Sequence, residues 1–455
     1  MKHFLLVLSF LSVTGFSAVE YQYLRIPRKL LTEKFVKSSG FIEDHFHNQK
    51  FVVGYLPLNK SFEIPPSITK SMIELDPIEW AHQSHDIETL KVIPVESSFS
   101  HREFEPFHTY ETLSAELKTI AEKYPNLVDL QSAGKTVQGR EMWYVRLTSK
   151  SSVTPSKPKV LYISSMHGDE VTGKEMMVYL IRDLLAKYGN DAATTALLDH
   201  SEVFIMPSMN PDGTQKSQRF NANGVDLNRD FPELNESPFG GNQAIETRNI
   251  MELHRENHFL VALNFHGGSL CVNIPWDSRK NNSNTLFEDN TLMLSMAHQY
   301  ADANAPMKAN HSSNFNHGVT YGYEWYPVYG GMQDWASFFR QSIHATIEIS
   351  NTKWPNANTL PTFWNQNKVG LFQYLKNGLT GIHFKAVNVE GQLLDVSVGI
   401  SSSKRALNFS GYVHRPSVTA EQQVTVSAQG YKTKTLSMTP QFFQGTYETV
   451  VLDRN

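Results

Sequence analysis

Val160-Leu-Tyr-Ile-Ser-Ser-Met-His-Gly-Asp-Glu170 is an apolar run that ends in a histidine and, three residues later, a glutamate. Its β-branched and aromatic start fits a buried strand, and a helical run follows from about Thr172. Further along, Leu260-Val-Ala-Leu-Asn-Phe-His266 repeats the arrangement and delivers a second histidine into Gly267-Gly268. Two imidazoles and one carboxylate at strand ends form a three-ligand site for zinc, with the fourth position open to water. That layout belongs to catalytic rather than structural zinc. His-x-x-Glu alone is a weak signal, because a lone histidine after a strand is more often a hydrogen-bonded structural residue. The surrounding segments decide between the two.

From Phe107 onward the pattern alternates. An amphipathic helix is predicted over Phe107–Tyr124, capped by Thr109, with Leu113, Leu117, Ile120 and Ala121 at helical spacing. Strands are predicted at Leu127–Ser132, Glu141–Leu147, Val160–Ser165, Val203–Met206, Leu260–Phe265 and Ala345–Ile349. Helices are predicted at Thr172–Tyr188, Gln243–Asn257 and Pro361–Leu375. Such alternation predicts an α/β fold with a mixed, largely parallel sheet flanked by helices, and sites in such sheets form at the carboxyl ends of strands. His167, His266 and Glu348 all fall there. From about Gly381 short alternating stretches separated by turn residues predict a small all-β sandwich over 381–455. Residues 19–104 mix charges, prolines and short β-like runs. They read as an irregular N-terminal segment, a propeptide among its possible roles.

Three further segments complete the set. They are Asn210-Pro-Asp-Gly213 followed by Arg219-Phe-Asn-Ala-Asn-Gly-Val-Asp-Leu-Asn-Arg-Asp-Phe-Pro232, then Trp325-Tyr-Pro-Val-Tyr-Gly-Gly-Met-Gln-Asp334, then Thr346-Ile-Glu-Ile-Ser350. With the two histidine segments, these closely resemble the funnelin metallocarboxypeptidases over residues 105–380. The C-terminal module resembles the transthyretin-like domain that follows the catalytic domain in the carboxypeptidase N/E subfamily.

The resemblance implies one zinc ion held by His167, Glu170 and His266. Zinc lowers the pKa of its water from 15.7 to about 7, so hydroxide exists at neutral pH. Glu348 is implied as the general base that passes the water's proton to the leaving amine. Arg219 would face the developing oxyanion. Asn228 and Arg229 would hold the substrate's free C-terminal carboxylate, a task that suits the planar guanidinium fork. Tyr326 matches the tyrosine that closes over substrate, with Tyr329 as its nearby competitor. Asp226 matches a carboxylate that orients the first zinc histidine. In the N/E subfamily a basic preference accompanies a Gln where Gln333 stands and an Asp eleven residues after the third ligand, here Asp277. A buried carboxylate left without a cation is costly, so such a pocket would select Lys or Arg.

Several residues are set aside. His254 and His258 stand four apart on a helix, but Arg255 fills the position of the glutamate in a His-Glu-x-x-His motif, so both are expected on the surface. His45 and His47 have no third ligand nearby. Cys271 has no partner and is expected to be a buried packing residue.

The 455 residues, with 40% hydrophobic side chains and a formal charge of −4, suit a large globular core and give no sign of a nucleic-acid partner. Residues 1–18 combine Lys2, an apolar stretch and small residues, which predicts a cleaved secretory leader rather than a membrane anchor. A single cysteine excludes an intramolecular disulfide, and its exported context leans toward a secreted or periplasmic protein of a bacterial envelope. The expectation is therefore an exported, monomeric zinc carboxypeptidase acting on peptide or protein C-termini that end in Lys or Arg. Its rivals are a peptidoglycan stem-peptide carboxypeptidase and a catalytically inactive peptide-binding module.

Overall fold

The computed structural model describes residues 21–47, 50–58, 64–74, 107–282, 284–417 and 420–455. The expected leader, residues 1–18, and the side chains of His45 and His47 lie outside what is described.

Buried, β-rich runs build a central eight-stranded sheet. Its order is Val319–Tyr321, Ser269–Ile274, Ile343–Ser350, Phe259–His266, Lys159–Ser164, Glu202–Met206, Glu141–Leu147 and Val128–Lys135. The strands from Ile343–Ser350 to Glu202–Met206 run parallel to one another. Antiparallel pairings flank this parallel block on both sides, so the sheet is mixed. Phe259–His266 and Ile343–Ser350 are buried along their whole length. Strands covered on both faces read as continuous apolar runs, which is why these two were legible. The helices Thr172–Lys187, Asn290–Asp302 and Leu360–Gly378 cover one face through Met177, Met296 and Leu371. Ile245–Glu256 and Met332–Phe339 cover the other through Ile250, Leu253 and Trp335. The predicted first helix of this region forms as Tyr110–Lys123, and the Thr109 side chain accepts from the Thr112 N–H.

Beyond Gly378 two four-stranded sheets face one another. One joins Tyr412–Pro416, Thr380–Asn388, Gln441–Phe442 and Glu448–Leu452; the other joins Leu407–Ser410, Asp395–Ile400, Gln422–Ser427 and Lys434–Met438. Phe384, Val398, Val413, Val424 and Leu452 fill the space between them.

The described residues between 21 and 74 are not irregular. Tyr21–Pro27, Ile42–His47, Phe51–Pro57 and Ile73–Glu74 form an antiparallel sheet, with helix Glu33–Ser39 packed against it. Thr32 caps that helix, and Gly40 ends it in the left-handed region at φ 68°. The sheet's other face packs Tyr23, Val53 and Tyr55 on Phe220 of the catalytic body. Both faces being covered erases the period-two alternation that a half-exposed sheet would show; Phe51–Pro57 is buried at six of its seven positions.

His254 also departs from expectation. It is fully buried, edge-on to Phe259 and Trp335, with its ring 6.5 Å from that of His344, while His258 is exposed as expected. Its helix turns that position toward the sheet, in line with Ile250. Burial holds His344 down at about 3 and His254 well below its ordinary value. The unfolded chain therefore takes up these protons first as pH falls, near 6.5. The stability they contribute is complete above about 6.5 and is lost toward acid. The melting temperature is expected to fall between about pH 7 and about pH 5, and a His344→Gln variant to show a shallower decline in the same melts.

Candidate active site

Strand register assembles the metal ligands. The loop after Lys159–Ser164 carries His167 and Glu170, and His266 ends the adjacent parallel strand. His167 Nδ1 lies 3.0 Å from Glu170 Oε1 and 3.0 Å from His266 Nδ1, which is 2.8 Å from Glu170 Oε2. All three side chains are buried, and one ligand atom from each falls within 4.8 Å of the others. His167 Nε2 faces Asp226 Oδ1 at 3.1 Å, which leaves the Nδ1 lone pair pointing inward. Two imidazole nitrogens and a carboxylate converging in a dry interior suit a zinc ion, and the donor set has the three-ligand form of a catalytic site.

The loop geometry needs Gly168. A Cβ there would stand 2.1 Å from the Gly213 carbonyl carbon, so only glycine lets the 167–170 turn lie on the Asn210–Gly213 segment. Its N–H donates to the Arg219 carbonyl at 3.3 Å, and Asn210 Nδ2 donates to the Met166 carbonyl. The Asn-Pro-Asp-Gly segment thus locks the first ligand loop to the arginine.

Arg219 is buried beside the ligands. Its Nε donates to Asp226 Oδ2 at 2.8 Å, and Nη1 stands 3.5 Å from Glu170. Asp226 also accepts from the Asn228 N–H, and Asn228 Oδ1 accepts from the Met332 N–H. Arg229 and Tyr326 line a cleft of about 900 Å³ between the catalytic body and the N-terminal unit, and Tyr329 lines it too.

Glu348 lies in register with His266 on one neighbouring strand and with Cys271 on the other. It is buried, and burial together with the Glu170 carboxylate pushes its carboxyl well above the ordinary range. Cys271 is fully buried against Trp325, Tyr326 and Val328, a packing residue.

Asp277 meets the first turn of helix Met332–Phe339, which carries Gln333: the Asp277 N–H donates to Asp334 Oδ1 at 2.9 Å. Asp277 is buried and accepts from Asn273 Nδ2 at 2.9 Å; burial, then the Asp334 carboxylate, pushes it up to about 8. Neither amide atom of Gln333 has a hydrogen-bond partner among the described residues, although the side chain is buried. A Cβ on Gly322 would sit 1.6 Å from Asp277 Oδ1, so that position must stay bare.

Sequence reasoning misses two residues of this neighbourhood. Lys353, five residues past Glu348, is buried with its Nζ 3.0 Å from Asp169 and 3.5 Å from Glu170. The N-terminal unit adds Asp44, whose carboxylate is 2.8 Å from Lys353 Nζ and 3.5 Å from Arg219 Nη1 and accepts from Tyr23 Oη at 2.9 Å. A lone lysine just past a catalytic-looking strand was the available signal for Lys353; nothing in the local sequence marks Asp44.

Comparison with known proteins agrees with this geometry. The family described as zinc carboxypeptidase matches residues 113–370. Mouse carboxypeptidase M is 35% identical over 329 residues, covering 67% of this chain and 71% of that protein. Mouse carboxypeptidase D is 32% identical over 375 residues, covering 76% of this chain but 27% of that longer protein. Among solved structures, carboxypeptidase A of Helicoverpa armigera superposes with a TM-score of 0.56 at 18% identity, covering 79% of this chain and 99% of that one, a likeness of fold. The chain belongs to the zinc carboxypeptidase family.

Proposed function

We propose that this protein is an exported zinc carboxypeptidase that removes C-terminal Lys or Arg from peptides or proteins. The observation that carries the reaction is Glu348 in register with His266, beside the buried triad of His167, Glu170 and His266. Bound zinc would supply Lewis acidity and a nucleophile active at neutral pH. The chain's residues do the rest. Arg229 and Asn228 grip the free carboxylate of the substrate, which restricts cleavage to the last peptide bond. Arg219 meets the charge that develops on the carbonyl oxygen. Glu348, a stronger base for being buried, takes the proton of the attacking water and returns it to the leaving amine. Tyr326 closes the cleft over the terminal residue. The buried Asp277 and the unpaired amide of Gln333 favour a cationic side chain, which is the support for the Lys or Arg preference.

Export rests on the leader-like residues 1–18, and no helix among the described residues is long and apolar enough to cross a membrane. We read the enzyme as a monomer. We read residues 19–104 as a segment that holds the intact chain latent, because Asp44 puts a carboxylate on Arg219 and Lys353 where a substrate group would approach.

Matched peptides ending in Arg, Lys, Phe, Leu or Glu test the activity. Only the basic termini are expected to be released, dialysis against a chelator should abolish release, and Glu348→Gln should lower kcat by about 10²–10⁴-fold. Release of Phe or Leu instead would remove the basic preference while leaving the chemistry. No release by the zinc-loaded chain carrying Asp44→Asn, in which the proposed restraint is removed, would overturn the enzymatic reading.

The Asp277 carboxyl must ionise to receive a cation. The kcat/KM for a C-terminal Arg peptide is therefore expected to climb as pH rises toward about 8. Asp277→Asn should flatten that limb and lower kcat/KM for Arg by about 100-fold or more, with little effect on a Leu peptide.

Latency predicts that Asp44→Asn raises kcat/KM of the intact chain severalfold. Equal activity of the variant and the unaltered chain would show that the N-terminal unit does not restrain the enzyme.

A further inference from the structure

The β-sandwich reaches into the catalytic body through one arginine. Arg405 stands between strands Asp395–Ile400 and Leu407–Ser410, yet its guanidinium partners all belong to the other unit. Nε donates to Asp289 Oδ2 at 2.7 Å, Nη1 to the Ser337 carbonyl at 3.2 Å and Nη2 to the Gln341 carbonyl at 3.0 Å, while the guanidinium carbon lies 4.6 Å from the Phe287 ring centre. Asp289 is fixed in turn by the buried Arg415 of the same sandwich, at 2.6 Å.

These contacts lead to the Asp277 pocket by two routes. Ser337 and Gln341 lie in and just after the last turn of helix Met332–Phe339, where carbonyls lack helical partners and a cation is favoured. The first turn of that helix carries Gln333 and Asp334. Asp334 accepts the N–H groups of Asp277 and Ser278, both at 2.9 Å, and the Ser278 hydroxyl at 2.6 Å. By the second route, Phe287 beneath Arg405 packs edge-on to Trp276 at 5.7 Å, and Trp276 directly precedes Asp277. Trp276 also meets Phe338 of the same helix at 6.2 Å. One side chain of the sandwich therefore braces both elements that present Asp277 and Gln333.

We infer that Arg405 is a positioning residue for side-chain specificity, so that the C-terminal sandwich sets how well the pocket holds a basic terminus. The inference rests on Asp277 and Gln333 being the basic-selective pocket. Lysine cannot substitute, because one ammonium cannot serve three acceptors lying in different directions along a planar fork.

The test compares Arg- and Leu-terminated peptides on the zinc-loaded full chain and on the same chain carrying Asp44→Asn, each with Arg405→Gln, Arg405→Lys or Phe287→Leu. Zinc content and melting temperature are measured alongside. Arg405→Gln and Arg405→Lys are expected to raise KM for the Arg peptide about tenfold with kcat nearly constant, and to leave kcat/KM for Leu unchanged. Phe287→Leu cuts the second route alone and should shift the Arg-to-Leu ratio in the same direction, which keeps the test decisive if Arg405→Gln fails to fold. An unchanged ratio in the folded variants would overturn the inference, as would an equal loss on both peptides with a lowered melting temperature. A parent chain with no preference for Arg would instead remove the pocket reading beneath it, an outcome visible without any Arg405 variant.

Discussion

Everything at this site follows from packing two imidazoles and a carboxylate into a space no wider than 4.8 Å in a dry interior. Without a cation, inward lone pairs and a buried negative charge are repulsive and costly. With one, the same set is tightly satisfied. The parallel block of the sheet makes the arrangement possible, since His266 and Glu348 lie side by side in register and the His167 loop leaves the next strand. No flexible loop would hold three donors and a base in such proximity with comparable precision.

That concentration of charge propagates outward. The carboxylates Glu170, Asp226, Asp169 and Asp44 face the buried cations Arg219 and Lys353. A divalent ion nearly balances the cluster. Asp44 is the member supplied from outside the catalytic body, and it is the one that a departing N-terminal unit would withdraw. Its removal would leave Arg219 to Asp226 and Lys353 to Asp169 and Glu170, and would take away one of the negative charges that hold the Glu348 carboxyl up. In the proposed latency, obstruction and charge would act together, because a single carboxylate both faces Arg219 and makes the Glu348 carboxyl harder to ionise.

The sequence was legible where chemistry is local. Strands buried on both faces gave continuous apolar runs, and polar residues at their carboxyl ends stood out against them: His167, His266 and Glu348. The Arg219–Pro232 run carried four candidate residues within a dozen positions. What escaped has long-range causes. Asp44 meets Lys353 across 309 positions of chain, and no periodicity encodes such a contact. The N-terminal sheet looked irregular because its second face is covered by another unit. His254 looked like a surface residue because the helix pattern was judged by polarity, whereas the fold buries an imidazole there beside Trp335. Strand Ser269–Ile274 was missed because only two glycines separate it from the strand before it, and it pairs antiparallel with Ile343–Ser350 rather than with that predecessor.

In the proposed reading, selectivity at the pocket arises from what is left unsatisfied. Gln333 is buried with its amide unpaired, the Asn273 Oδ1 is buried and likewise unpartnered, and Asp277 is held up by burial and by Asp334. Each such group is destabilising in the empty pocket, on the order of 1–3 kcal/mol for a buried neutral polar atom. A cationic side chain that satisfies several at once recovers that energy, and a neutral one leaves it unrecovered, which turns a stability defect of the empty enzyme into discrimination between substrates. The defect is tolerable only if the surroundings cannot relax to heal it. Gly322 leaves no side chain to fill the space, and Asp334 pins the Asp277 backbone. Helix Met332–Phe339 is braced at its far end by a residue of another unit. On that reading a rigid frame around an unsatisfied pocket is the physical condition for specificity, and Arg405 of the β-sandwich would contribute to that frame.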